Sequence, residues 1–143
     1  MNPVMFDHEK LDVYQLELQF MTWVTPILED AIQSGGRKAR EVCDHLNRAS
    51  MSILLNTAEG NGKRQRLVRS KFFDDARGSA TECAACLDVL VAKGVFTKER
   101  TNIGKSHLLR IIAMLTKLIQ LYEGKSNLKE DPLDYLTCLE YEI

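Results

Sequence analysis

Asn56-Thr57-Ala58-Glu59-Gly60-Asn61-Gly62-Lys63-Arg64, followed eight residues on by Phe72-Phe73-Asp74-Asp75-Ala76-Arg77-Gly78-Ser79-Ala80-Thr81-Glu82, decides the fold of this chain. The first segment closes one apolar pattern of helical period and the second opens another. Before the glycines, Val42, Leu46, Ala49, Ile53 and Asn56 recur at alternating spacings of four and three. After them, Phe72, Ala76, Ser79, Cys83, Cys86 and Leu90 keep the same rhythm, with Phe73, Ala80, Leu87 and Val91 as a second stripe beside it. That is the pattern of two amphipathic helices joined by a short basic turn. In an antiparallel hairpin turning near Lys63, Arg48 comes level with Ser79 and Glu82, and Asn56 with Phe72 and Phe73.

Outward from this hairpin the same period continues. Leu11, Tyr14, Leu18, Met21, Val24, Leu28, Ala31 and Ile32 form a face over about residues 8–32. Thr25-Pro26 interrupts it without loop residues, which favours one kinked helix over two. Ser34-Gly35-Gly36 ends that helix. Beyond Lys93-Gly94, a broad apolar face of Leu108, Ile111, Ile112, Leu115, Leu118, Ile119 and Tyr122 gives a fourth helix. No convincing strand alternation appears. The sequence predicts an all-α fold, an antiparallel up-down-up-down four-helix bundle over residues 1–127. Residues 128–143 form an acidic extension, a tail or a short helix carrying Leu133, Leu136, Leu139 and Ile143 after Pro132.

A chain of 143 residues, 45% hydrophobic and 27% charged, fits one globular domain with a real core. Its net charge of −1 gives no global pull toward nucleic acid or membrane. The charge is uneven, however. Lys63, Arg64, Arg66, Arg69 and Lys71 fall in a stretch with no anion, and Glu130, Asp131, Asp134, Glu140 and Glu142 in one with no cation. No apolar run is long enough to cross a bilayer and no basic-then-apolar leader opens the chain, so a cytoplasmic protein with four reduced cysteines is expected.

Catalytic chemistry finds little support. A di-metal carboxylate bundle needs Glu-x-x-His motifs on facing helices, whereas Glu41 and His45 are four apart and His8 and His107 stand alone. Cys83-Ala-Ala-Cys86 lies inside a helical pattern at core positions, which reads as buried thiols acting as small hydrophobes. Gly60 and Gly62 follow a helix instead of opening one after a strand, so they are not a phosphate loop. No catalytic residue, metal or cofactor is expected. The polar residues Arg48, Ser52, Asn56, Glu59, Arg77, Ser79 and Glu82 on or beside the apolar stripes suggest an internal ionic and hydrogen-bonded network that fixes helix pairing. The cations Lys63, Arg64, Arg66, Arg69 and Lys71 form the one patch suited to phosphates.

These motifs resemble those of the family first noticed as products of intervening sequences in 23S ribosomal RNA genes. The matching features are Asn56-Thr-Ala-Glu59-Gly60 with Lys63-Arg64, Ala76-Arg77-Gly78-Ser79 with Glu82, Arg48-Ala49-x-x-Ser52-Ile53, and the opening Leu11-Asp-Val13-Tyr14-Gln15. Tyr14 stands where Trp is usual, and Leu54-Leu55 replaces a Pro-Ser-like pair. The resemblance implies a non-enzymatic homo-oligomer, with pentameric rings known for the fold. Retroelement accessory proteins of the same fold engage nucleic acid and a polymerase, so RNA or a nucleic-acid enzyme is an expected partner by analogy. A protein-binding scaffold without nucleic-acid binding is the alternative. The acidic tail would either cover a basic turn, in cis or on a neighbouring subunit, or pack on the bundle or an adjacent subunit.

Overall fold

The structure, a computed structural model, describes residues 5–124. The acidic segment 128–143 lies outside the described residues. A 3-10 turn, Asp7–Lys10, leads into α1 (Asp12–Gly35), α2 (Arg37–Asn61), α3 (Arg66–Ala92) and α4 (Lys98–Glu123). Side-chain pairs fix the directions. Glu17 meets Thr57 and Asp7 meets Asn61, so α1 and α2 are antiparallel. Ser52 meets Ser79, Arg77 meets Thr116 and Ser70 meets Glu123, which sets α2 against α3 and α3 against α4 in the same sense. The up-down-up-down bundle expected from the periodicity is the observed fold.

The connections are tight. Gly36 alone separates α1 from α2, and its φ of +55° is open to glycine at little steric cost. Between α3 and α4, Thr97 caps the second helix by accepting a hydrogen bond from the Arg100 backbone N–H at 3.2 Å. α1 runs unbroken through Pro26, which lies on an exposed position of the helix.

The buried face of α1 keeps Val24 and Ala31 of the face read in the sequence and otherwise differs from it. Val13, Leu16, Glu17, Phe20, Val24, Ile27 and Ala31 point inward, while Leu18 and Ile32 are exposed. Leu11, Tyr14 and Met21 lie at the edge of the stripe. Both rows have helical spacing, and the choice between them depends on which neighbours the helix meets. Phe20, Leu46, Ile53, Phe73, Leu87, Leu90, Leu108, Ile111 and Leu115 fill the centre. Burying each contributes on the order of 1.5–3 kcal/mol before chain entropy is charged.

Two close approaches set the helix spacing. A Cβ at Gly104 would lie 2.2 Å from the Trp23 ring, so α4 meets α1 through an aromatic side chain packed directly against glycine. A Cβ at Gly60 would meet the Phe72 Cβ at 2.7 Å. Gly60, and not Asn56, is therefore the residue level with Phe72 and Phe73. The hairpin pairs about one helical turn further along α2 than the sequence suggested.

Candidate nucleic-acid interface and hairpin face

The basic turn is built on the C-terminus of α4. Arg66, in the first turn of α3, donates to the Leu121 carbonyl at 2.5 Å, one of the four carbonyls a helix end leaves without intrahelical partners. Arg69 donates through Nε to the Lys63 carbonyl at 2.5 Å and through a terminal nitrogen to the Tyr122 hydroxyl at 3.1 Å. Both guanidiniums lie 5.3 Å from the centroid of the Tyr122 ring. Cations gathered at the negative end of a helix dipole, against an aromatic face, are held by their own fold. The five cations therefore divide. Arg69 is half-buried and braces the turn; Arg66 is exposed but tied to α4. The Lys63 ammonium sits 5.2 Å over Phe72. Arg64 and Lys71 are exposed, which makes them the best placed to meet an outside phosphate.

Residues 5–124 hold 17 of the chain's 19 cations and 15 of its 20 anions. The bundle itself is thus net positive, and the acidic balance of the whole chain comes from the segment after it. Near-neutral pI conceals a mildly basic body.

The hairpin residues do not form one network. Ser52 and Ser79 hydroxyls meet at 2.8 Å, and the Asn56 amide donates to the Ser52 carbonyl and hydroxyl at 2.9 and 3.0 Å. This small cluster bridges α2 and α3. Arg77 points the other way, donating to Thr116 of α4 at 3.0 Å and pairing with Asp74 at 2.7 Å. Arg48, Glu59 and Glu82 lie at the surface. Glu82 comes within 3.9 Å of His45, with both side chains about half exposed; such a pair contributes little. Gly60 has the packing role already described. Cys83 and Cys86 are buried on α3, and desolvation pushes both thiols up from their ordinary range, as expected of inert core cysteines. Among the described residues no cluster of His, Cys, Asp or Glu is arranged to hold a metal ion.

The sequence reading missed a buried carboxyl. Glu17 is 2% exposed, between α1 and α2, and desolvation raises its pKa from 4.5 to about 8 despite the opposing hydrogen bond from Thr57. Thr57 Oγ1 lies 2.7 Å from Glu17 Oε2 and 3.0 Å from the Ile53 carbonyl. A hydroxyl has one proton and can donate to only one of them. A protonated Glu17 resolves the conflict by donating to Thr57, which then donates to Ile53. Glu17 Oε1 has no hydrogen-bond partner among the described residues, which also disfavours the charged form. The signal was present in the sequence as a glutamate at helical spacing between Val13 and Phe20. A second row of apolar residues at the same helical spacing, Leu11, Tyr14, Leu18 and Met21, masks it.

The geometry defines a class: an antiparallel four-helix bundle whose central hairpin carries its polar motif and whose α2–α3 turn is basic. The family described as 23S rRNA-intervening sequence protein matches residues 9–117, and the chain belongs to it. A comparison with curated proteins finds no significant match.

Proposed function

We propose that this chain is a non-catalytic, self-assembling bundle. Its α2–α3 outer face joins copies into a homo-oligomeric ring, and its basic turns, repeated around the ring, hold RNA or a ribonucleoprotein. The observation that carries the reading is Gly78. It sits exposed in the middle of α3, and a Cβ there would meet nothing within 4 Å among the described residues beyond its own helix backbone. Glycine inside a helix is about 1 kcal/mol less favourable than alanine. Among the described residues no contact accounts for it, and the close approach of a neighbouring subunit to the helix backbone is what we take it to serve. On the adjoining α2 surface, Met51 and Leu55 are exposed, Leu55 by 64%, and one helical turn apart they offer an apolar strip beside the glycine.

Assembly supplies what one turn lacks. Arg64 and Lys71 on a single subunit are a weak phosphate site, but their repetition in a ring adds by avidity. Filter binding of a structured RNA by the full chain, titrated at several salt concentrations, tests this. Arg64→Gln with Lys71→Gln is expected to weaken binding and flatten its salt dependence while leaving the assembly intact. Absence of binding at low salt, or binding indifferent to these two residues, removes RNA from the proposal and leaves a protein-binding scaffold.

A further inference from the structure

No aromatic residue lies between Lys63 and Lys71 in the sequence, but the fold brings three to the basic turn from the start of the chain. Asn61, the last residue of α2, donates from its side-chain amide to the Asp7 carboxylate at 2.9 Å. This bond docks the 3-10 turn Asp7–Lys10 on the end of α2. Gly62 and Lys63 bond back to the Glu59 and Gly60 carbonyls at 3.1 Å, so the chain stays folded against that end. Arg64 follows Asn61 by three residues, and its backbone is therefore within about 11 Å of the anchor. On the docked turn the rings form a short stack. Tyr14 meets His8 edge-on with ring centroids 4.7 Å apart, and Phe6 lies at 19° to His8 at 5.7 Å. Tyr14 and His8 are half-buried, whereas Phe6 ends the stack with 68% of its surface exposed. An exposed phenyl ring forgoes the favourable burial open to an apolar group of its size. Its backbone is nonetheless held: the Phe6 N–H donates to the Glu9 carboxylate at 2.6 Å, and the Gln15 amide to the Glu9 carbonyl at 3.0 Å.

We propose that Phe6 is a stacking platform for an unpaired RNA base, with Arg64 meeting the phosphates of the same strand. The proposal rests on the reading of the basic turn as an RNA contact and narrows it to single-stranded segments. A base laid on Phe6 continues a stack that His8 and Tyr14 already support from behind. Every base has a π-face, so such a contact is tolerant of sequence. The charges around the platform favour an unpaired strand over a duplex. Lys10, Lys63 and Arg64 stand there against Asp7, Glu9, Asp12 and Glu59, so the charge nearly balances. A duplex hides its base faces and depends on phosphate contacts to a positive surface, which a balanced corner supplies poorly. A single strand offers its base faces and needs few phosphate contacts. Phe6 and Arg64 supply one partner for each.

Fluorescence anisotropy of a labelled oligouridylate, alone or annealed to oligoadenylate, tests the platform when titrated with the full chain at low salt. Wild type is expected to prefer the single strand. Phe6→Leu keeps an apolar side chain and should weaken single-strand binding by about 5- to 150-fold, the range for one lost base–aromatic stack. Phe6→Trp should bind at least as tightly as wild type. Both substitutions fall on an exposed side chain, so the urea midpoint should stay at the wild-type value. Arg64→Gln with Lys71→Gln separates the platform from the reading beneath it. Single-strand binding that falls with those two residues but ignores Phe6→Leu overturns the platform and leaves the RNA contact standing. A preference for the duplex, or a Phe6→Trp variant as weak as Phe6→Leu, does the same. Binding of neither RNA overturns both.

Discussion

Replacing Glu17 with glutamine should remove a large pH dependence from the stability of this bundle. The carboxyl is almost fully buried, and its pKa rises from 4.5 to about 8 on folding. Between those values the folded chain holds a proton that the unfolded chain has released. Stability attributable to Glu17 is therefore greatest below about pH 4.5, declines as pH rises, and levels off above about pH 8. Each pKa unit corresponds to about 1.4 kcal/mol, so the full swing is on the order of 5 kcal/mol. Glutamine has the same shape, can donate to Thr57, and does not ionise. Urea unfolding followed by circular dichroism, for wild type and Glu17→Gln across this pH range, isolates the effect, because every other titrating group contributes equally to both. The variant should be similar to wild type at acidic pH and progressively more stable than it toward about pH 9. A difference between the two that stays constant with pH would refute the assignment of a protonated, buried Glu17.

Other expectations follow from single contacts. Gly104→Ala drives a methyl into the Trp23 ring and should lower stability by about 1–3 kcal/mol in thermal unfolding; an unchanged melting temperature would mean that the α1–α4 contact is looser than the 2.2 Å approach implies. Arg69→Gln should lower stability by about 1–2 kcal/mol by removing its bonds to Lys63 and Tyr122, whereas Arg64→Gln should leave the unfolding midpoint nearly unmoved. Equal effects from the two substitutions would contradict the division of the basic turn into a brace and an outward part.

The four helices and their order were legible because periodicity and glycine punctuation are local signals, and here they agree along α2, α3 and α4. The apolar face of α1 is legible only in its second half, where Val24 and Ala31 are buried, since Leu11, Tyr14, Leu18 and Met21 satisfy helical spacing as well as Val13, Leu16, Phe20 and Ile27 do. Only the positions of α2 and α4 select between the two rows. The same ambiguity hid Glu17. The hairpin polar residues were recognised, but their grouping depends on the angle each presents, which spacing alone does not give. Arg77 turns toward α4, and Asn56 joins Ser52 and Ser79. The capture of Arg66 and Arg69 by the end of α4 was not legible either, because Leu121 and Tyr122 are more than fifty residues away in the chain.

The native mass of the full chain, by sedimentation equilibrium, tests the central claim most directly when measured together with Gly78→Arg. The wild type should sediment as a defined multiple of the 16.3 kDa chain. The variant should retain its helical content yet shift toward single chains, since the position is exposed on α3 with open space at a Cβ among the described residues, and a long side chain there blocks a neighbour. A wild-type protein that sediments as one chain, or a variant that assembles as wild type does, would contradict the account.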